Sequence, residues 1–142
     1  MADAEVDLQR IERKWEELVA RAKGDPWSLV SMEPEELKAL LLSAIEGLAR
    51  LVGAIAVTVE VGRWKARYYR KSLIDDDEWE EEDGELVCSV QLEDSSGCSI
   101  TALSIGLPDE DGPEVYARSA GEIAEIFLTG RVCEEGSLEP DH

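Results

Sequence analysis

The spacing of apolar residues in this chain is helical up to Val52, becomes two-residue from Ile55, and changes face at Gly62. Few folds accommodate all three. Pro34 suits a first helical turn, and Leu37, Leu40, Leu41, Ala44, Ile45, Leu48, Ala49 and Val52 then cover more than half of a helix before Gly53. Such a helix is buried on more than one side. Ile55, Val57, Val59 and Val61 next alternate with Ala56, Thr58 and Glu60, as in a half-buried strand. Past Gly62 the large or apolar positions are Trp64, Ala66 and Tyr68, which a Gly62-Arg63 hairpin turn explains because glycine tolerates positive φ. That turn predicts the pairs Val61 with Trp64, Val59 with Ala66, Val57 with Tyr68, Glu60 with Lys65 and Thr58 with Arg67. A bulge within one long strand is the alternative.

The flanking segments complete an α+β domain. Leu8, Ile11, Trp15, Leu18 and Ala22 form a narrow helical stripe over residues 4–23, stopped by Gly24 and Pro26. The stripe suits either its own sheet or a partner helix, with packing inside the monomer favoured. Leu86, Cys88, Val90 and Leu92 alternate before Asp94-Ser95-Ser96-Gly97, and Ile100, Ala102, Leu103 and Ile105 follow, giving a second hairpin. The expected architecture is two N-terminal helices, a four-stranded antiparallel meander and a short C-terminal helix. Ser119 to Glu122 matches a capping box, with Ile123, Ile126 and Phe127 on one face up to Gly130. Residues 1–133 are expected as a single domain and 134–142, with Glu134, Glu135, Glu139 and Asp141, as a disordered acidic tail. In a meander, Asp75 to Asp83 and Asp109 to Asp111 would form one acidic rim, with the basic strand running away from it.

Charge divides the chain. Residues 1–74 hold 12 acids and 12 bases, whereas 75–142 hold 21 acids against Arg118 and Arg131 alone, so the net charge of −19 lies downstream of Ile74. A field of that sign attracts basic proteins and repels free nucleic acid unless a shielded positive groove exists. There is no Asn, Gln occurs only at positions 9 and 91, and 33% of residues are charged, a composition that fits life at high temperature or a GC-rich genome. No uncharged apolar run reaches the ~18 to 20 residues of a membrane span, and the N-terminus is acidic, so a cytoplasmic protein is expected. Cys88, Cys98 and Cys133 lack C-x-x-C spacing and are odd in number, which points to buried small hydrophobes rather than zinc or disulfides.

The chemistry-bearing motifs are few. The sole histidine is His142, which discounts His-based triads, bases and metal sites, and no glycine-rich phosphate loop occurs. Asp75, Asp76, Asp77, Glu78, Glu80, Glu81, Glu82 and Asp83 lack EF-hand spacing, since Trp79 takes the fifth place and glycine comes late. They read as a solvated loop, or as a phosphate-like decoy for a basic partner protein. No cofactor and no metal are expected, and a metal-dependent nuclease ranks third.

Arg63-Trp64-Lys65-Ala66-Arg67-Tyr68-Tyr69-Arg70-Lys71 holds five of the 14 basic residues and three of the eight aromatics. On a strand, Arg63, Lys65, Arg67, Tyr69 and Lys71 share one face, and Trp64, Ala66, Tyr68 and Arg70 the other. Cations that follow phosphates beside rings that stack on bases are what single strands require. The competing account is structural: Trp64 and Tyr68 belong to the core, and the basic face pairs with Glu60 and the following acids.

Helices before a four-stranded antiparallel sheet, this basic-aromatic strand and the heat-adapted composition together resemble the ThermoDBP-related single-stranded-DNA-binding proteins of hyperthermophilic archaea. The resemblance spans most of the chain in outline. It implies a non-enzymatic protein that binds single-stranded DNA with little sequence preference in a cleft partly formed between subunits of a dimer or tetramer. Candidate contacts, assigned from their chemistry, are Arg63, Trp64, Lys65, Arg67, Tyr68, Tyr69, Arg70 and Lys71. The alternative function is an acidic interaction module, an inhibitor or decoy, that engages a basic protein.

Overall fold

The computed structural model describes the backbone of residues 2–62, 64–69, 72–78 and 86–137, and side chains within 9–62, 66–68 and 87–136. Prolines punctuate its first third. A helix opened by Pro loses no hydrogen bond, because the first N–H groups have no intrahelical acceptor. Pro26 accordingly starts a helix of its own, so three helices precede the sheet and not two: α1 (Ala2–Gly24), α2 (Pro26–Val30) and α3 (Pro34–Val52). At the end of α3 the N–H groups of Gly53 and Ala54 turn back to the carbonyls of Arg50 and Ala49, closing the helix before the first strand.

The narrow stripe of α1 is occupied within one copy of the chain. Trp15, Leu18, Val19 and Ala22 are buried, and α1 packs on α2, α3, α4 and β6. Trp15 also donates its indole N–H to the carbonyl of Arg118 at 2.8 Å, which satisfies the one polar atom of a fully buried ring. Central α3 contacts α1, α4 and the sheet, and buries Leu37, Leu41, Ala44, Ile45, Leu48 and Ala49, as its broad apolar face requires.

The sheet is antiparallel and six-stranded, in the order β3-β2-β1-β4-β5-β6. Its strands are β1 (Ala56–Val61), β2 (Trp64–Tyr69), β3 (Ser72–Glu78), β4 (Leu86–Glu93), β5 (Ser99–Gly106) and β6 (Val115–Ala117). The first hairpin has the register anticipated from the parity change, with Val61 opposite Trp64, Val59 opposite Ala66 and Val57 opposite Tyr68. Gly62 sits in its turn with φ of 58°, a conformation glycine adopts without strain.

The expected four-stranded meander is overturned. Leaving β2, the chain forms β3 on the outer side and then crosses back, so β4 pairs with β1 and not with β2. Asp75 to Glu78 belong to a strand and not to a loop. Of the single acidic rim, the part at Asp75 to Glu78 is likewise corrected, and Glu80 to Asp83 lie outside the described residues. Asp75 and Asp77 are register partners of Arg67 and Lys65, while Asp109 to Asp111 lie between β5 and β6 at the other side of the sheet. Residues 79–85 lie outside the described residues.

The helices cover one face of the sheet, where Val59, Val61, Val90, Leu92, Leu103 and Ile105 join α1, α3 and α4 in one contiguous core. Helix α4 (Ala120–Leu128) starts at Ser119, whose hydroxyl accepts from the Glu122 N–H at 3.1 Å. The backbone N–H of Ala120 donates to the Glu16 carboxylate at 2.6 Å, so α1 supplies a second cap to the same helix.

Two expectations fail at the C-terminus. Residues 134–137, anticipated as tail, belong to helix α5 (Val132–Ser137), and residues 138–142 lie outside the described residues. Cys98 and Cys133, anticipated as small hydrophobes, form a disulfide that ties α5 to the start of β5. Only Cys88 fits the expectation of a buried free thiol. Among the described residues no helix is long and apolar enough to cross a membrane.

Candidate nucleic-acid interface

Strand β2 is positioned by pairing on both sides, to β1 and to β3. Alternation along it then divides the basic-aromatic segment between two environments. Ala66 is fully buried on the helix-covered face beside Val59. Tyr68, two residues on, is half-buried and lines a groove under the sheet. Arg67, of opposite parity, is 44% exposed on the other face. The cluster therefore does not form one surface: its central arginine and its central tyrosine are on opposite sides of the sheet.

Arg67 is not a lone cation. Its Nη2 lies 2.7 Å from Oε2 of Glu93 on β4, reaching across β1, where Ala56 stands in register with Glu93 and Thr58 with Arg67. Asp75 of β3 stands in register with Arg67, and Asp77 with Lys65, whose partner on the other side is Glu60. A partly exposed ion pair of this kind contributes at most about 1 kcal/mol, so a stronger anion can displace the carboxylate.

Among the other candidate contacts, Trp64, Lys65 and Tyr69 occupy β2 positions described in the backbone alone. Arg63, Arg70 and Lys71 lie outside the described residues. Lys65, Arg67 and Tyr69 hold alternate positions of one strand.

The groove beside Tyr68 was not anticipated from sequence. It holds about 530 Å³ between the second half of α3 and the start of β1, walled by Leu42, Ile45, Ala49 and Val57 with the Glu46–Arg50 ion pair of 3.2 Å at its lip. The broad apolar face of α3 was legible, but where the sheet stops covering it was not. Glu93 was missed for a similar reason, because the pairing of β4 with β1 that brings it near Arg67 is a crossover.

Both cations of the acidic half are engaged in structure. Arg118, 7% exposed, donates Nε–H to the Thr101 carbonyl at 3.2 Å, pairs with Glu122 at 3.3 Å and Glu135 at 3.8 Å, and lies 5.4 Å from the Tyr116 ring centre. Arg131 meets Glu125 at 3.5 Å and Glu135 at 3.6 Å. Among the described residues no group of three or more His, Cys, Asp and Glu side chains converges as metal ligands. Burial pushes the Cys88 thiol up from 9.0 to about 12, against a smaller opposing effect of a hydrogen bond with the Ile105 backbone, so it is a poor nucleophile.

No family model matches this chain, and neither a curated protein nor a solved structure matches it.

Proposed function

We propose that this chain is a non-enzymatic protein that binds single-stranded DNA along β2 with little sequence preference. The observation that carries the reading is the guanidinium of Arg67, 44% exposed on the face opposite buried Ala66, at a strand position that alternates with Lys65 and Tyr69. A phosphate competes with the Glu93 carboxylate for that guanidinium, and bidentate geometry favours it. Binding then depends on salt, because each neutralised phosphate releases counterions. The expectation that the cleft is completed by a second subunit is part of this reading.

Fluorescence anisotropy with a labelled oligonucleotide tests it. Arg67→Ala is expected to weaken binding by about 5- to 50-fold and to lower the salt slope by roughly one, whatever the base sequence. Glu93→Gln, which removes the competing carboxylate, is expected to strengthen it. No binding at low salt, or binding that ignores both changes, refutes the reading.

A second reading draws on β3, an acidic strand at the end of the sheet order that holds Asp75, Asp76, Asp77 and Glu78. An extended basic segment of another protein pairs with such a strand through its backbone and its charges. Titration with a basic peptide, and loss of its binding on neutralising those acids without any oligonucleotide affinity, would select this reading over the first.

A further inference from the structure

The β5 side of the sheet is closed in three successive ways. Strand β6 pairs with Leu103, Ser104 and Ile105. Arg118 then donates its backbone N–H to the Ala102 carbonyl at 3.0 Å and its Nε–H to that of Thr101. Beyond it α5 lies against the start of the strand, where a Cβ at Gly136 would overlap the Ser99 carbonyl.

A helix of six residues does not hold itself together. Its anchors are Val132, 1% exposed in the core, the Glu135 ion pairs with Arg118 and Arg131, and the Cys98–Cys133 crosslink. The pair with Arg131 is partly exposed and weak, and the one with the buried Arg118 is long, at 3.8 Å, and shared with Glu122. We infer that the disulfide is a reducible latch: a dithiol opens it, α5 leaves β5, and the start of the strand at Ser99 and Ile100 becomes accessible while the rest of the sheet, including the edge held by Arg118, stays folded.

The two residues differ in exposure, Cys133 being exposed and Cys98 half-buried. A thiolate of the dithiol attacks Sγ of Cys133, the S–S bond breaks, and its electron pair passes to Sγ of Cys98, which takes a proton from water. The second thiol of the reductant, having lost its proton, displaces the sulfur of Cys133, which is protonated in turn. The reductant leaves as a cyclic disulfide, and two electrons and two protons have moved to the protein.

The turn that carries the sulfur of Cys98 is held independently of the crosslink, since Asp94 accepts from the Ser96 hydroxyl at 2.6 Å and from the N–H groups of Ser96 and Cys98. Opening is confined to α5 and the start of β5, as in sub-global unfolding.

Hydrogen exchange on the full chain, with and without dithiothreitol, tests the latch. Reduction is expected to speed exchange across residues 99–100 and 132–136 by about 10-fold or more, the loss of an intramolecular tether's effective concentration. The amides of β1 and β4 should not change. Unaltered exchange at residues 99–100 and 132–136, or simultaneous acceleration of every strand, would overturn the proposal, the crosslink then being inert or a staple on the whole fold. Cys133→Ser without reductant should reproduce the local opening. If that variant does not fold, titration of the natural chain still decides, with iodoacetamide labelling two thiols after reduction and none before while Cys88 stays protected.

Discussion

At the scale of single residues, burial decides which groups remain chemically available. Cys88 is the clearest case: it is fully buried, and its thiol is displaced upward from 9.0 to about 12. The unfolded chain releases that proton at lower pH than the folded one. The contribution to stability is complete below pH 9 and is lost as pH rises toward 12, with a slope of about 1.4 kcal/mol per pH unit. Urea midpoints of the natural chain and of Cys88→Ala across that range check this. The variant starts lower, by about 1 kcal/mol for the small cavity, but should show a correspondingly shallower decline. Arg67 illustrates the opposite situation, a charge held near water by a partner it can exchange.

Among elements, α5 and β3 depend most on their neighbours. Gly136→Ala drives a methyl group into the Ser99 carbonyl and is expected to cost about 1 to 3 kcal/mol, measured by thermal or urea unfolding of the oxidised chain. A smaller loss, near the few tenths typical of an exposed helix position, would mean that α5 shifts freely. The same two elements mark where sequence stops being sufficient. The β1–β2 register was legible because a two-residue period and Gly62 each fix it, and α3 and the Ser119 cap were legible from local chemistry. Strand β3 was not, because Asp75 to Glu78 have low intrinsic strand preference and gain their strand from pairing with β2. The Cys98–Cys133 pair is separated by 35 residues and is bridgeable only because its Cα atoms approach to 5.0 Å, a distance that spacing in sequence does not reveal. Of the candidate interface, the chemistry of Arg67 was readable and its Glu93 partner was not, since that contact depends on which strand lies beyond β1.

For the molecule as a whole, a net charge of −19 produces self-repulsion that salt screens. Added sodium chloride should therefore raise the thermal unfolding midpoint, while the same salt weakens oligonucleotide affinity. Opposite signs in the two titrations separate global electrostatics from a local phosphate site, and parallel trends would contradict the DNA-binding reading. The two sides of the sheet also differ. One ends in β6, of three residues, and in β5 shielded by Arg118 and α5, whereas the other ends in seven-residue β3, beyond which no further described strand pairs. Among the described strands, joining two copies through β3 would make a closed two-fold pair. Such a pair would bring two acidic strands together, which favours a basic bridging segment over direct contact between copies.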